Sequence, residues 1–288
     1  MKHEIDFIKC SPTQNMTILV KTNHAAEHYS DIASSLMSYD HVYAEQVGFI
    51  EQPRRQEAAA RLEMAGGEFC GNACMALAAH VAYEKGLEQQ SSMNVKLDVS
   101  GTESLIHCHV KKRENQYDCR VTMPVPEQIE RKVITFEGLE LELVVVRYAE
   151  FIHIVIEVQD FDDTMRRRAQ HLARLLGLTM GDKMIGILLY RPATEEMAPL
   201  IYVPQLDSLI WERGCGSGTA SVGAYLAWLA QGEVTQLIRQ PGGTIKVTAQ
   251  WHETGRKAIT IEGNVRIVAH GTAFIDVPLE RSQRQTSI

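Results

Sequence analysis

Hydrophobic and polar residues alternate along most of this chain, and four stretches have a helical pattern instead. A period of two is typical of strands with one buried face, whereas a period near 3.6 indicates a helix. We predict amphipathic helices near residues 25–37 and 162–176, and helices without any Asp, Glu, Lys or Arg near 70–83 and 215–229. Strands are predicted near residues 5–9, 16–20, 42–50, 61–64, 95–99, 104–110, 117–123, 140–147, 152–158, 184–190, 200–203, 244–249 and 258–261. The pattern indicates an α/β protein in which strands dominate.

Several residues have the types that are common at helix termini. Asp162 stands where an N-cap side chain is expected, and glycine follows the other ends at Gly86, Gly177 and Gly232. An aspartate oxygen can satisfy a free N–H group, and glycine readily adopts the left-handed conformation that often ends a helix. We therefore expect these four residues to mark helix boundaries.

The two uncharged helices begin with similar sequences. Residues 70–80 read CGNACMALAAH and residues 215–225 read CGSGTASVGAY, and the two cysteines lie about half the chain apart. The predicted elements around each helix follow the same order, which indicates an internal duplication. Each helix consists largely of small uncharged residues, so we expect a curved, mostly antiparallel sheet to surround it.

The duplication predicts two pseudo-symmetric domains. The first would comprise residues 1–125, completed by residues 270–288, and the second residues 126–269, with the Pro-Val-Pro segment 124–126 as the linker. A pseudo-twofold relation between the domains would bring both cysteine-led helix ends to one cleft.

Composition and charge exclude several classes of protein. The formal net charge is −7 and the longest basic run is Arg166-Arg167-Arg168, so we expect no nucleic-acid or membrane partner. No run of about 20 apolar residues predicts a membrane span. Six cysteines are too few for a disulfide scaffold of this length, which favours a reducing compartment, the cytoplasm.

Metal binding has little support in the sequence. The nearest approaches to a zinc motif are the pair Cys70 and Cys74 and the segment His107-Cys108-His109, and neither has a second pair of ligands at a familiar spacing. We expect no metal, with the two histidines of that segment facing solvent and its cysteine facing the core.

Two facing cysteines suit the inversion of a stereocentre. An α-carbon is racemised by removing its proton from one face and returning a proton to the other, which requires an acid/base group on each side. At a helix N-terminus the partial positive charge and the free amides favour a thiolate, so we expect Cys70 and Cys215 to have lowered pKa values. The two cysteines would exchange roles with the handedness of the substrate.

The same helix ends predict a site for the substrate carboxylate. We expect the unpaired N–H groups of Gly71, Asn72, Gly218 and Thr219 to bind it and to stabilise the charge that develops when the α-proton leaves. No lysine lies beside a glycine-rich phosphate loop as in a pyridoxal enzyme, so no cofactor is expected.

At these residues the chain resembles the diaminopimelate epimerase and proline racemase superfamily. That superfamily carries C-G-N-G near its first catalytic cysteine and C-G-T-G near its second, where this chain has CGNA from Cys70 and CGSGT from Cys215. The resemblance extends to Asn15, to Glu45-Gln46 and to His153. It implies the α/β fold of diaminopimelate epimerase, and a homodimer.

A closer resemblance is to the histidine racemases of staphylopine-type metallophore synthesis. It implies racemisation of L-histidine to D-histidine, as a supply for an opine-type metal chelator. It rests on the segments 14–20 (QNMTILV), 45–51 (EQVGFIE), 199–202 (PLIY), 208–212 (SLIWE) and 240–243 (QPGG). Beside the cysteines, the predicted substrate-binding residues are Asn15, Glu45, Gln46, Gly71, Asn72, His153, Glu212, Arg213, Gly216, Ser217, Gly218 and Thr219.

Departures from the diaminopimelate pattern support the narrower resemblance. An asparagine before the first cysteine and an Asn-Pro-His element would hold the distal end of a long substrate, but residues 62–65 read LEMA and residues 151–153 read FIH. The resemblance implies that Glu45 accepts a hydrogen bond from the substrate imidazole, the alternative being an exposed strand residue. His153 either lines the cleft or is a core histidine.

Three alternatives stay open from the sequence. The chain could be a diaminopimelate epimerase or another racemase of the superfamily. It could be a thiol redox enzyme in which Cys70 and Cys215 cycle through a disulfide. It could also be a binding protein that keeps the fold without catalysis, although the presence of both cysteines argues against that.

Overall fold

The computed structural model describes residues 2–252, 255 and 257–276, and sixteen strands and four α-helices lie within them. The helices are α1 (Tyr29–Met37), α2 (Gly71–Glu84), α3 (Asp163–Thr179) and α4 (Gly216–Ala230). The strands are β1 (Lys2–Pro12), β2 (Thr17–Val20), β3 (Gln46–Glu51), β4 (Ala60–Met64), β5 (Ser92–Val99), β6 (Ile106–Arg113), β7 (Gln116–Thr122), β8 (Gln128–Phe136), β9 (Leu139–Arg147), β10 (Phe151–Glu157), β11 (Met184–Arg191), β12 (Glu196–Val203), β13 (Ser208–Trp211), β14 (Glu233–Gln240), β15 (Gly243–Gln250) and β16 (Ala258–Asp276).

The strands form one sheet whose middle strand is β16. On one side, β1 to β7 follow one another in chain order, and β16 pairs with both β7 and β1, which closes eight strands into a ring. On the other side of β16 the order is β15, β14, β12, β11, β10, β9 and β8, with β13 paired to β12. The two sides therefore share β16, which comes last in sequence among the described strands.

The pairing pattern repeats between the two halves of the chain. In the first half β2 pairs with β3, and β4 with β5, in parallel; in the second half the parallel pairs are β10 with β11 and β12 with β14. The other pairings are antiparallel. The duplicated order that the sequence indicates is therefore present in a mixed, mostly antiparallel sheet.

The chain crosses between the two sides of the sheet twice, once after β7 and once within β16. After β7 the chain continues into β8, which pairs with β9 in the second half, whereas β16 runs beyond Val265 to pair with β1 in the first half. Residues 270–276 pair with β1, and residues 277–288 of the predicted completing segment lie outside the described residues. The division into domains at residues 125 and 269 remains a prediction.

The two central helices are enclosed as their composition predicts. Residues Gly71 to His80 of α2 and Gly216 to Tyr225 of α4 are all buried. Alanine, glycine and serine keep both helices thin, so strands can pack against every side of each helix. Both helices therefore hold their first residues in fixed positions at the interior of the molecule.

Two of the predicted helix boundaries are wrong. Gly177 lies inside α3, where a Cβ atom would stand 2.4 Å from Cε1 of Tyr202, so glycine serves close packing there. At the end of α4, Gln231 rather than Gly232 adopts the left-handed conformation, with φ 48°. The predictions at Asp162, which accepts from the amide of Met165 at 2.7 Å, and at Gly86, with φ 67°, are confirmed.

Candidate active site

Cys70 and Cys215 are the N-cap residues of α2 and α4 and line the same cavity. Their backbones match, with φ −132° and ψ 110° at Cys70 and φ −122° and ψ 110° at Cys215. Each sulfur accepts a hydrogen bond from the amide three residues on, Ala73 N at 3.3 Å and Gly218 N at 3.2 Å. The duplication therefore places two thiols in one site with the same local geometry.

The first turns of the two helices touch each other. Asn72 donates through Nδ2 to the carbonyl of Gly214 at 2.7 Å. A Cβ atom on Gly216 would lie 3.2 Å from Asn72 Oδ1 and 3.3 Å from Asn72 N. Glycine at position 216 therefore permits the close approach of one helix end to the other.

The free amides at these ends differ in part from the prediction. Gly218 N donates to the sulfur of Cys215, and Thr219 N donates to the carbonyl of Cys215 at 3.0 Å, so neither amide is available to a carboxylate. Within the described residues, the amides of Gly71 and Asn72 on α2, and of Gly216 and Ser217 on α4, donate to no backbone carbonyl. The prediction placed the free amides of α4 too far along the helix, because the sulfur of an N-cap cysteine already accepts a hydrogen bond from the third amide of its helix. On α4 the predicted carboxylate site is therefore displaced by two residues toward Cys215, to Gly216 and Ser217, whereas on α2 the predicted amides of Gly71 and Asn72 are unchanged.

Gln240 supports the backbone at Cys215. Its Oε1 accepts from Cys215 N at 2.6 Å, its Nε2 donates to Thr219 Oγ1 at 2.8 Å, and Thr219 Oγ1 donates to Cys215 O at 2.7 Å. Thr219 is thus a buried support and does not line the cavity. The role of Gln240 was not predicted, although the QPGG segment that begins with it was part of the resemblance.

Three carboxyl groups line the cavity with the thiols, those of Glu45, Glu68 and Glu212. Gln46 connects two parts of this set, because it accepts from the Cys70 thiol through Oε1 and donates to Glu212 through Nε2. The site therefore contains two thiols and three carboxyl groups, all of which can exchange protons.

Asn15 and Arg213 act on the site through Glu45. Asn15 Nδ2 donates to Glu45 Oε2 at 3.1 Å, and the backbone N–H of Arg213 donates to the same oxygen at 3.3 Å. The guanidinium of Arg213 points elsewhere and donates to Gln14 Oε1 at 2.8 Å. Neither Asn15 nor Arg213 lines the cavity.

Burial makes all three carboxyl groups weak acids. It raises the pKa of Glu45 to about 7 and that of Glu68 to about 7. It raises the pKa of Glu212 to about 8, and the neighbouring charge of Glu45 raises it further. Each group therefore changes charge near neutral pH, which is typical of groups that exchange protons in a functional site.

The thiols also have raised pKa values, which is opposite to the prediction. Burial is the largest cause at Cys70 and at Cys215, and the charge of Glu212 is the second at both. The backbone amides of Ala73 and Gly218 act in the predicted direction and lower the pKa. They are outweighed because Cys70 is only 6% and Cys215 only 2% exposed to water. In this arrangement both sulfurs are thiols.

The cavity is narrow in this structure. The space between its side chains is about 30 Å³, room for roughly two water molecules. The surrounding wall is mostly apolar, with Met37, Val47, Phe69, Met184, Ile201, Val203, Leu206 and Ile210. A ligand larger than this space can enter only when parts of this wall move apart.

His153 does not join the cysteines. It is fully buried on β10, its Nδ1 lies 2.7 Å from Ser221 Oγ, and Tyr148 OH lies 2.8 Å from the same oxygen. Burial lowers the pKa of His153 to about 3, so the ring is neutral. Of the two alternatives for His153, the structure places it in the core behind α4.

The remaining predicted residues divide between the wall and its support. Those that line the cavity are Glu45, Gln46, Gly71, Asn72, Glu212, Gly216 and Ser217. Asn15, Gly218 and Thr219 lie behind them as buried supports. Glu68 lines the cavity and was not predicted.

The described residues offer neither a metal-binding cluster nor a membrane-spanning helix. Across residues 2–252, 255 and 257–276, no cluster of three or more His, Cys, Asp or Glu side chains has the arrangement of a metal site. In that same part of the chain, no helix combines the length and the apolar character needed to cross a bilayer. His107 and His109 are exposed and Cys108 is buried, as predicted.

Solved structures share this fold. A hydroxyproline epimerase from Agrobacterium vitis, with bound trans-4-hydroxy-L-proline, has a TM-score of 0.72 at 13% sequence identity and covers 96% of this chain and 94% of its own. A probable proline racemase from Agrobacterium radiobacter K84, with bound carbonate, has a TM-score of 0.68 at 13% identity, over 97% of this chain and 94% of its own. The epimerase-like α/β fold class is confirmed.

The fold and the paired-cysteine site are those of an amino-acid racemase or epimerase. The family model described as Histidine racemase CntK N-terminal domain matches residues 4–274, and the chain belongs to this histidine racemase family. A histidine racemase of Staphylococcus aureus strain Mu50 is 34% identical over 94% of this chain and 98% of its own length. One of Fusobacterium nucleatum subsp. nucleatum is 28% identical over 94% of this chain and 97% of its own.

Proposed function

We propose that this chain interconverts L-histidine and D-histidine without a cofactor, with Cys70 and Cys215 acting on opposite faces of the α-carbon. The observation that carries the proposal is that both thiols cap matching helices and line one cavity. Inversion needs an acid/base group on each face, and a pair of this kind supplies both. The name shared by the curated relatives points to histidine as the substrate.

The proposed reaction transfers one proton at each face. A thiolate accepts the α-proton, and the electron pair of the C–H bond passes into the carboxylate to give an enediolate-like ion. The thiol on the other face then donates its proton to the carbon. Each turnover leaves the protonation states of the two cysteines exchanged, so the reverse reaction starts from the product arrangement.

The carboxylate would bind at the two helix N-termini. The amides of Gly71, Asn72, Gly216 and Ser217 are grouped where the helix ends meet, and each helix adds partial positive charge at that end. The enediolate-like ion carries more charge on these oxygens than the substrate does. The amides therefore stabilise the transition state more strongly than the ground state.

Glu45 would bind the imidazole. Asn15 Nδ2 and Arg213 N both donate to Oε2, which fixes the carboxyl group at the cavity wall. A carboxylate oxygen can accept from a ring N–H, and an imidazole with an ordinary pKa near 6.5 is easily protonated beside it. This arrangement favours a side chain that carries a hydrogen-bond donor.

Substrate binding would also make a thiolate possible. In the narrow cavity, burial and the charge of Glu212 keep both sulfurs protonated. The cationic ammonium and imidazolium groups of histidine would offset this negative surrounding, since a nearby opposite charge favours an ionised group. The thiolate would thus form with the substrate in place, and the proton that it loses would pass to the carboxylate of Glu212, which acts on both sulfurs.

The experiment is isotope exchange with chiral detection. The purified chain is incubated with L-histidine in heavy water, with a thiol reductant and without pyridoxal phosphate or added metal. We expect D-histidine to form with deuterium at the α-carbon. Exchange into diaminopimelate but not histidine would reassign the substrate, and turnover that consumes the reductant would indicate a thiol redox enzyme. Absence of exchange into any amino acid would contradict the proposal.

The proposal includes a cellular role and an assembly. We infer that the D-histidine made by this chain supplies an opine-type metallophore and that the chain acts in the cytoplasm. We also infer that it forms a homodimer. Each chain would have two domains, one of residues 1–125 with 270–288 and one of residues 126–269. The reducing compartment is supported by the six free cysteines. The mass in solution tests the dimer, and loss of the chelator from cells that lack this gene tests the role.

A further inference from the structure

Glu68 is a buried carboxyl group in the cavity that the reaction described above does not use. It lies two residues before Cys70, is 6% exposed and lines the cavity. Its Oε2 atom has no hydrogen-bond partner within the part of the chain that the structure describes. A buried, incompletely paired carboxyl group is costly for folding, so its retention in a ligand cavity suggests a ligand contact.

No cation of the described chain is hydrogen-bonded to Glu68. The charge of Lys183 acts on Glu68 but favours its ionised form less than the neighbouring backbone amides do, and Lys183 Nζ donates to Glu150 Oε2 at 2.8 Å. The amides of Gly66 and of Glu68 itself are the groups that most favour its ionised form. Glu68 therefore has no hydrogen-bonded cation among the described residues, and its Oε2 is left for a cationic ligand, which would favour the ionised carboxylate.

Glu68 also stands apart from the other two carboxyl groups. The charge of Glu45 acts on Glu212, and Gln46 joins Glu212 to the Cys70 thiol. The charged groups that act on Glu68 are instead Glu63 and Lys183. The cavity thus has two separate places for a cationic group.

The groups of an amino acid can be assigned to these places in turn. Its carboxylate takes the helix-end amides, and a side-chain donor takes Glu45 beside Glu212. Its ammonium group lies on the same carbon as the proton that the cysteines exchange, so it must lie close to the sulfurs. Glu68 is near enough to Cys70 to influence its ionisation. Two buried carboxyl oxygens of the cavity lack a hydrogen-bond partner within the described residues, Oε2 of Glu68 and Oε2 of Glu212. Because Glu212 lies beside Glu45, where the side-chain donor is placed, we assign the ammonium group to Glu68.

We propose that Glu68 binds the α-ammonium group of the substrate. The inference rests on the proposed function, because it requires an amino acid whose α-carbon lies between Cys70 and Cys215. A racemase must bind both enantiomers, and when hydrogen changes faces the other three groups stay in nearly the same places. One ammonium site therefore serves both directions of the reaction.

The test compares two ligands that differ by the ammonium group. Histidine has it, and 3-(imidazol-4-yl)propionate keeps the ring and the carboxylate but lacks it. In Glu68→Gln we expect the KM for L-histidine and for D-histidine to rise about 10- to 100-fold, the range for a lost charge-assisted hydrogen bond. Inhibition by the propionate should not weaken. Glu103→Gln, at an exposed position, should match the wild type for both ligands.

Glu45→Gln provides the opposite pattern. Since both ligands carry the imidazole, Glu45→Gln should weaken the binding of histidine and the binding of the propionate to a similar extent. Equal weakening of both ligands in Glu68→Gln would show that Glu68 shapes the cavity and does not bind the ammonium. An unchanged KM for histidine would also overturn the proposal. Unimpaired binding of the propionate in Glu68→Gln would itself show that the cavity is folded.

Failure of the proposed function can be distinguished from failure of this inference. If the wild type exchanges the α-hydrogen of another amino acid, the same comparison is made with that amino acid and its deamino analogue. If it exchanges none, the two ligands are compared by calorimetric binding. A selective loss of the amine-bearing ligand in Glu68→Gln would then support the ammonium site, and loss of neither would reject it.

Discussion

The helix ends at Cys70 and Cys215 have the same backbone geometry and different neighbours. At Cys70 the thiol donates to Gln46 and thereby connects to Glu212. At Cys215 Glu212 acts on the thiol directly, without a glutamine between them; the sulfur also lies 3.5 Å from Ser217 Oγ, and the backbone is held by Gln240. The duplication thus determines where the thiols lie, whereas the later divergence of each half determines what each thiol can exchange protons with. Four predictions test how far the two ends are equivalent.

Replacing either cysteine should have the largest effect. Cys70→Ser and Cys215→Ser put a hydroxyl that hardly ionises where an acid or base is needed, and such a group contributes about 10²- to 10⁴-fold. We expect each to lower kcat for D-histidine formation by that factor in a chiral chromatographic assay. Cys74→Ala, one helical turn beyond Cys70, is the control and should keep activity. If either variant kept the wild-type kcat, the cysteine replaced in it would not be an acid/base group of the reaction.

Glu212 should give the protein a stability that falls as pH rises. Its folded-state pKa of about 8 lies above the ordinary value of 4.5, so the folded chain binds this proton more tightly. The stabilisation is complete below the ordinary value and is lost as pH rises through the folded pKa. Relative to Glu212→Gln, the wild type should lose on the order of 3 kcal/mol of unfolding free energy from about pH 5 to about pH 9.

The measurement for Glu212 is urea unfolding at a series of pH values. Glu103→Gln serves as the control, because its exposed carboxyl group should leave the wild-type profile unchanged. Parallel profiles for the wild type and Glu212→Gln would show that Glu212 is ionised in the folded protein throughout this range.

Replacing Gln240 should affect mainly stability, whereas replacing Gln46 should affect mainly catalysis and substrate binding. Gln240→Leu leaves the buried Cys215 amide without its acceptor, which should cost about 2 kcal/mol of stability. Gln46→Leu affects a half-buried side chain in the cavity, so it should change KM and kcat more than the unfolding temperature. Thermal unfolding and steady-state kinetics on both variants check this. If Gln240→Leu unfolds like the wild type, the backbone at Cys215 does not need that support.

The smallest difference is expected between matched glycines. A Cβ atom on Gly71 meets the flexible end of Met123 at 2.9 Å, whereas one on Gly216 also meets the backbone nitrogen of Asn72 at 3.3 Å. Because backbone yields less than a side-chain terminus, Gly216→Ala should cost about 1 kcal/mol more than Gly71→Ala. Comparison of their denaturation midpoints tests this, and equal costs would indicate that the helix ends separate readily.

The sequence predicted the central helices and the paired cysteines because those signals are local. A Cys-Gly start followed by small uncharged residues can be recognised twice without knowing the sheet. Strands β8, β13 and β14 were not predicted, and β16 was predicted to end near residue 261. Residues in β8 and in the later part of β16 are largely exposed. Alternation between a core face and a polar face is therefore weak in them.

The errors at the site arise from three-dimensional surroundings. The raised pKa values of Cys70 and Cys215 depend on burial and on Glu212, and neither follows from a helix position. Glu68 lies close to Cys70 in sequence, but an acidic residue before a helix is ordinarily a solvated surface group. The displaced carboxylate site could have been derived, because an N-cap acceptor always occupies an amide in the first turn.

The shared strand β16 also affects how the chain can fold during synthesis. Lys2 pairs with Asp276, so the first of the described strands meets the last of them. The ring around α2 cannot close until residues 265–276 have left the ribosome, although every other strand of that ring is made by Thr122. Until then, α2 and the edge of β1 lack a cover, and such exposed apolar surface and unpaired strand edges favour aggregation. Folding of the first half of the chain is therefore coupled to completion of the second, and a ribosome that stalls late would release a chain with an open ring.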